Sequence, residues 1–417
     1  MSYCTHLETV PGGTTLAADK PQNAPPKGVL YARYDLDRLR REVTVDDIAS
    51  GPASLWRYAP LLPIDDPANA VSLGEGLTPL LRADRLARSL GCANLRVKDE
   101  GQNPSGTFKD RGAAVALSRY RELGVKTVIS NSSGNAGGSW ALYSARAGIE
   151  CVNILPTDAQ TSSRRHCSLS GSRTYYVDDW HAAGKLVADA CARFGWFNVN
   201  TLKEPYRMEG KKTMGLEIAE QLGWKLPDVV VYPMGGGLGP LAIWKAFEEL
   251  LALGWVTGRL PRLVVTQWTG CGPLVKAWNE KKSDVEPWEN LDVPPGGLKS
   301  INPPGGRGVL ELLARHGGGA LAITLDEALR EVREMATCEG IFACPESATA
   351  IAGLRKALAS GMVDREDSIV VLCTGSGLKS IPLLPAGQER IIRSIDDLEA
   401  TPAADTVALS ALNSEIS

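Results

Sequence analysis

The sequence predicts an α/β protein built as two three-layer αβα domains with mostly parallel sheets. Two observations carry that expectation. Short apolar, β-branched runs alternate with helical patterns, and the alternation runs twice, with a changeover near residues 200–210. The chain of 417 residues also exceeds what one hydrophobic core of ~250–300 residues holds.

Residues 1–70 are mixed: a Pro-rich piece, a charged helical stretch near 35–42 and the apolar run LWRYAPLLP. They read as an extension wrapping a body that begins at Leu73. In the first series, LRVK (95–98), TVIS (127–130) and CVNIL (151–155) are brief runs bounded by turn residues, as buried strands are. AAVALSRYREL (113–123) and GSWALYSARAG (138–148) have helical spacing and end near glycine. The second series comprises DVVVYP (228–233), a glycine cluster, the helical LAIWKAFEELLALG, RLVVTQ (262–267) and SIVVLC (368–373). The expected organisation is an extension over 1–70, a first α/β domain over 71–205, a second over 206–385 and a flexible tail over 386–417. The Pro- and Gly-rich stretch 279–308 is expected to be a lid or an interdomain segment.

Composition excludes several classes. A net charge of −3 argues against nucleic-acid and basic membrane-surface binding. Nine scattered cysteines with no CxxC pair, and four isolated histidines, support neither a disulfide framework nor a metal site. The start, MSYCTHLETVPGG, lacks a signal-peptide pattern, and no apolar run is long enough for a bilayer. The expectation is a soluble cytoplasmic protein acting on a small molecule.

Four stretches carry chemistry. Lys109 follows a Pro104–Gly106 turn and opens a helix, where the helix dipole and Arg111 are expected to lower its pKa, as Schiff-base formation needs. Asn131 to Gly138 (NSSGNAGG) is a strand-to-helix turn of small polar residues that offers amides to an anion such as a carboxylate, with Asn135 able to bind a phenolic oxygen. Pro233 to Gly239 (PMGGGLG) lets amides converge on a phosphate, and a simple turn rarely needs four glycines in five positions. The spacing Gly237-x-Gly239-x-x-Ala242 also fits a dinucleotide fingerprint, but that fingerprint wants an acid where Gln267 and Trp268 stand. Thr374 supplies a neutral hydroxyl at the end of strand 368–373, where ligands of open α/β sheets bind. Amine, asparagine, phosphate loop and hydroxyl together are the attachments of pyridoxal phosphate. A non-catalytic nucleotide sensor would leave Lys109 and Thr374 unexplained.

GxNPxGxFKDRG, SSGNA, GGGxG and TGxGLK occur in this order, supported by LGEGLTPL (73–80), RMEGKKT (207–213) and GIFACPESATAIAGL (340–354). Over about residues 70–380 the chain resembles threonine synthase and its relatives among the fold-type II pyridoxal-phosphate enzymes. The resemblance implies a tryptophan synthase β-like fold with the cofactor between two domains, and often a homodimer. It implies that Lys109, with Phe108 beside it, carries the cofactor as a Schiff base and acts as general base. Asn135 would face the ring hydroxyl, Gly235, Gly236, Gly237, Leu238 and Gly239 the phosphate, and Thr374 the pyridine nitrogen. Ser132, Ser133, Gly134 and Arg207 would bind substrate. A neutral hydroxyl at the ring nitrogen suits elimination over prolonged carbanion storage.

The implied reaction is elimination or replacement of phosphate or hydroxyl on a small amino acid such as O-phosphohomoserine. The alternatives are a threonine/serine ammonia-lyase and β-replacement on O-phosphoserine. Ala136, Gly236 and Thr201 stand where the family typically has polar phosphate contacts, and only Arg207 matches. Lys203, Lys211, Lys299 and Arg307 are the candidate replacements. Some relatives begin with a cysteine ribbon; here Cys4 is the only cysteine before Cys92, so no structural metal is expected.

Overall fold

The computed structural model describes residues 2–25 and 28–385, with positions 391, 394 and 395. Apart from those three positions, the tail expected to be flexible lies outside the described residues. The extension supplies strands β1 (Cys4–Val10), β2 (Thr15–Leu16) and β3 (Val29–Tyr34), an antiparallel sheet ordered β2-β1-β3. Helices α1 (Leu36–Glu42) and α2 (Val45–Ala49) follow, capped by the Asp35 and Thr44 side chains. Leu7, Leu30 and Ala32 of this sheet pack with Ala113–Leu117, while Leu39 and Ile48 pack with Leu216 and Leu250. The extension is therefore part of the core.

The body begins with β4 (Leu80–Arg82), α3 (Asp84–Leu90), β5 (Asn94–Asp99) and α4 (Lys109–Glu122). Next come β6 (Thr127–Asn131), α5 (Asn135–Ala147), β7 (Glu150–Pro156), α6 (Thr161–Leu169), β8 (Arg173–Val177), α7 (Ala183–Phe194) and β9 (Phe197–Asn198). The second half carries α8 (Tyr206–Gln221), β10 (Val229–Pro233), α9 (Leu238–Leu253), β11 (Arg262–Trp268), α10 (Pro273–Asn279) and α11 (Gly306–His316). It closes with β12 (Gly318–Ile323), α12 (Leu325–Glu339), α13 (Pro345–Ala359) and β13 (Ser368–Cys373). Among the described residues no helix is long and apolar enough to cross a membrane.

Two further sheets form, as the alternation predicts. One is four-stranded and parallel, ordered β8-β7-β6-β9. The other is six-stranded, ordered β12-β11-β10-β13-β5-β4, and parallel except at β4. One strand is placed differently from its expected series. Residues 95–98, grouped with the first set, pair with β13 in the larger sheet, Leu372 opposite Lys98 and Cys373 opposite Asp99. Periodicity marks a strand but not its neighbour. The consequence is functional: β10, β13 and β5 are adjacent and parallel, so their C-terminal ends share one edge of the sheet. The loops leaving that edge carry the glycine cluster, Thr374 and the approach to Lys109.

Candidate active site

Helix α4 opens directly on Lys109, and the preceding turn is tied to the end of β13. Phe108 N–H donates to the Thr374 carbonyl at 3.2 Å, and the Thr107 hydroxyl donates to the same oxygen at 3.0 Å. The Lys109 side chain is half-buried in a cavity, with Nζ 4.2 Å from the centre of the Phe108 ring. Burial first, and then the nearby Arg207 guanidinium, push its pKa down to about 7. The depressed pKa was expected, but not its source. Arg111 lies about 200° further round the helix from Lys109 and is fully buried in ion pairs with Glu100 and Glu217, at 2.6 and 2.5 Å.

The same cavity is lined by Phe108, Asn135, all five residues Gly235–Gly239 and Thr374, so the structure brings the expected cofactor residues together. Gly237 holds φ +86°, a left-handed value that suits glycine, and caps α9. The turn is also sterically closed: a β-carbon on Gly235 would overlap the Gly297 carbonyl, and one on Gly239 the Tyr232 hydroxyl. The amides of Gly235 through Gly239 have no acceptor among the described residues. Their amides and the N-terminal end of α9 form a cradle for an anion. Thr374 Oγ1 lies 3.4 Å from Ser347 Oγ, a neutral hydroxyl pair with no carboxylate between them. A depressed-pKa primary amine, an amide cradle and a neutral hydroxyl on one cavity suit a phosphorylated aldehyde with a ring nitrogen.

Ser132, Ser133, Gly134 and Arg207 line an adjoining cavity that shares Lys109 and Asn135 with the first. The Ser132 hydroxyl is turned onto its own loop, accepting from Gly134 and Gly137 N–H at 3.3 and 3.0 Å. The amides of Ser133, Asn135 and Ala136 have no acceptor among the described residues, so this helix start faces the cavity with its backbone. Arg207 is buried, donates to the Val199 carbonyl at 2.9 Å and lies 5.5 Å from the Trp140 ring centre. Lys203 and Lys299 also line this space, with Lys299 held 2.5 Å from Asp158. Arg307 does not reach it; its guanidinium pairs with Glu311 at 3.1 Å and lines a separate cavity.

Some cavity residues carried no sequence signal as site residues. Tyr232 reads as strand core, Glu346 as a helix-start residue of the 340–354 stretch, and Asn302 as loop. The 279–308 segment crosses the cavities: Gly297 packs on the glycine turn, while Gln160 Nε2 donates to the Pro295 carbonyl at 3.2 Å.

Residues 71–375 match the model of the family described as pyridoxal-phosphate dependent enzyme. The chain belongs to that family. It is 36% identical over 354 residues to the threonine synthase of Methanocaldococcus jannaschii, covering 84% of this chain and 87% of that one. It is 34% identical over 378 residues to the threonine synthase of Methanosarcina acetivorans, covering 90% and 92%. Among solved structures, processed threonine deaminase isoform 2 of Solanum lycopersicum aligns with a TM-score of 0.60 at 17% identity, covering 87% and 98%. That likeness supports the fold. This pyridoxal-phosphate dependent enzyme is threonine synthase-like, and its cavities match the cofactor in donor type.

Proposed function

We propose that the protein is a threonine synthase, eliminating phosphate from O-phosphohomoserine and adding water to give threonine. One observation carries the choice of substrate. Besides Lys109, the outer cavity is lined by the cations Lys203, Arg207 and Lys299, with no carboxylate among its lining residues. A cavity of that charge favours a substrate with a phosphate as well as a carboxylate. Lys203, Arg207 and Lys299, with Ser300 and Asn302, stand in for the polar contacts that Ala136, Gly236 and Thr201 do not make.

The proposed roles follow from position. Pyridoxal phosphate, when bound, supplies an electrophilic carbonyl and an electron-withdrawing ring. Lys109, neutral above about pH 7, would hold it covalently and, as the free amine, would accept the substrate's Cα proton at Nζ. Gly235–Gly239 would hold the phosphate through backbone amides, Asn135 would face the ring oxygen and Thr374 would face the ring nitrogen as a neutral partner. The amides at the start of α5 orient the substrate carboxylate. Arg207, fixed by Val199 and Trp140, receives the leaving phosphate. Nine unpaired cysteines suit a reducing compartment such as the cytoplasm.

A second reading, a threonine/serine ammonia-lyase, is favoured by Ala136 and the all-glycine turn, which offer a phosphate no side-chain hydroxyl or amide at those positions. Incubation with O-phosphohomoserine, O-phosphoserine and threonine decides between them. Phosphate plus threonine from the first supports the proposal. A keto acid from threonine, with no phosphate release, overturns it in favour of the lyase; an adduct from O-phosphoserine marks a replacement enzyme.

A further inference from the structure

Lys211 is a buried lysine without an acceptor among the described residues. Buried lysines normally find an anion or a carbonyl, because an unpaired ammonium away from water is costly. The other buried lysines conform. Lys98 meets Glu217 at 2.6 Å, Lys212 meets Glu209 at 2.6 Å, Lys245 meets Glu209 and Glu249, and Lys379 donates to the Ser105 carbonyl at 3.0 Å. Lys211 is only 2% exposed, yet its Nζ makes no hydrogen bond and no ion pair among the described residues. Its polar end lies 4.6 Å from the centre of the Phe108 ring, the ring that also carries Lys109 Nζ.

Its place in the fold says which anion it awaits. Lys211 lines the inner cavity together with Gly235–Gly239 and is not among the residues of the outer cavity that holds Arg207. The glycine turn offers amides without acceptors and the N-terminus of α9, equivalent to roughly half a positive charge. A phosphomonoester carries roughly −1.5 to −2 at neutral pH. Amides alone leave most of that charge uncompensated in a buried cavity.

We infer that Lys211 is the cation that pairs with the cofactor's phosphate, completing the glycine cradle, while Arg207 serves the phosphate of the substrate. The inference rests on the cavity taking pyridoxal phosphate. It divides the cations of RMEGKKT between two phosphates: one position faces the substrate space, the position four residues on faces the cofactor, and Lys212 beyond it is structural.

The test compares the full-length chain with Lys211→Met, Lys211→Gln and Lys211→Arg, freed of cofactor and titrated with pyridoxal phosphate and with pyridoxal, which lacks the phosphate. Loss of one charge-assisted contact should weaken pyridoxal phosphate by about 10- to 100-fold in the Met and Gln variants. Pyridoxal binding should be unchanged, and Lys211→Arg should recover most of the loss. Pyridoxal reports on folding, so equal weakening of both ligands would mean a structural role and overturn the inference. Unchanged pyridoxal phosphate affinity with a raised KM for O-phosphohomoserine would also overturn it, assigning Lys211 to the substrate. Failure of the wild-type chain to take up pyridoxal phosphate would overturn the cofactor reading itself, an outcome distinct from the others.

Discussion

Gly210 of α8 lies against the Arg111 carbonyl of α4 so closely that a β-carbon would overlap the oxygen, and reciprocally a β-carbon on Gly112 would come within 2.8 Å of Arg207 Cγ. Two helices that cross on glycine bring their side chains to a common face. Arg207 and Lys211, four residues apart, share one side of α8 and so meet the start of α4 at Lys109. Gly210→Ala is expected to destabilise the chain by about 1–3 kcal/mol through overpacking. Because the crossing sets the site, it should also weaken cofactor retention. Denaturant midpoints and the colour retained on dialysis check both; an unchanged midpoint would refute the crossing's role.

Glu217 holds the same crossing from below. Its two oxygens, out of solvent, accept from the buried Arg111 at 2.5 and 2.7 Å and Lys98 at 2.6 Å, and from Leu77 N–H at 2.8 Å. Burial alone would raise its pKa, but Arg111 and Lys98 outweigh burial and hold it well below the usual carboxylate range. Glu217→Gln leaves a buried guanidinium and ammonium short of charge, at a cost of about 3–5 kcal/mol near neutrality. A folded pKa below the unfolded one gives stability that is present above the unfolded value and lost as pH falls towards the folded one. The gap between wild type and variant in urea should therefore be widest near pH 7 and narrow below about pH 4.5.

Lys109, the glycine turn and Thr374 were legible because each sits where a strand ends and a loop or helix begins, and such junctions leave local marks in glycine, asparagine and small polar residues. Arg111 was misread because sequence adjacency to Lys109 does not say which face of α4 it occupies. The neighbour of strand 94–99 was missed because β13 lies far along the chain, and periodicity carries no pairing information. The isolation of Lys211 was invisible for the same kind of reason: within the run Lys211–Lys212, only three-dimensional packing gives the second residue two carboxylates and the first none.

Tyr232 and Gly239 form a pair that tests the glycine turn without touching Lys109. The Tyr232 hydroxyl is buried without a hydrogen-bond partner among the described residues and occupies the space a β-carbon on Gly239 would need. Gly239→Ala should weaken pyridoxal phosphate by about tenfold or more, since the turn must shift to admit the methyl group. Tyr232→Phe alone should be neutral or stabilising by up to about 1 kcal/mol, because it removes an unpaired buried hydroxyl. Phenylalanine keeps Cζ, which stands 2.3 Å from that β-carbon, so it is Gly239→Ala paired with Tyr232→Ala that should recover part of the lost affinity. If the two changes are additive in a double-mutant cycle, the contact is not what excludes the side chain.

Lys109 should cost the cofactor-free chain stability. Its pKa is pushed down to about 7 in the folded protein, far below the ordinary lysine value, first by burial and then by Arg207. Between about pH 7 and 10.5 the unfolded chain binds a proton that the folded chain does not, so stability rises with pH across that window and the penalty is full below it. Lys109→Met removes the group and with it the slope. The cofactor-free variant should therefore be more stable than cofactor-free wild type at pH 6–7, with the difference shrinking towards pH 10. Borohydride treatment in the presence of pyridoxal phosphate should fix a pyridoxyl group at position 109 in wild type and none there in the variant. A variant less stable than wild type at pH 6–7 would mean that the amine has an anionic partner in the folded chain, and the depressed pKa would have to be abandoned.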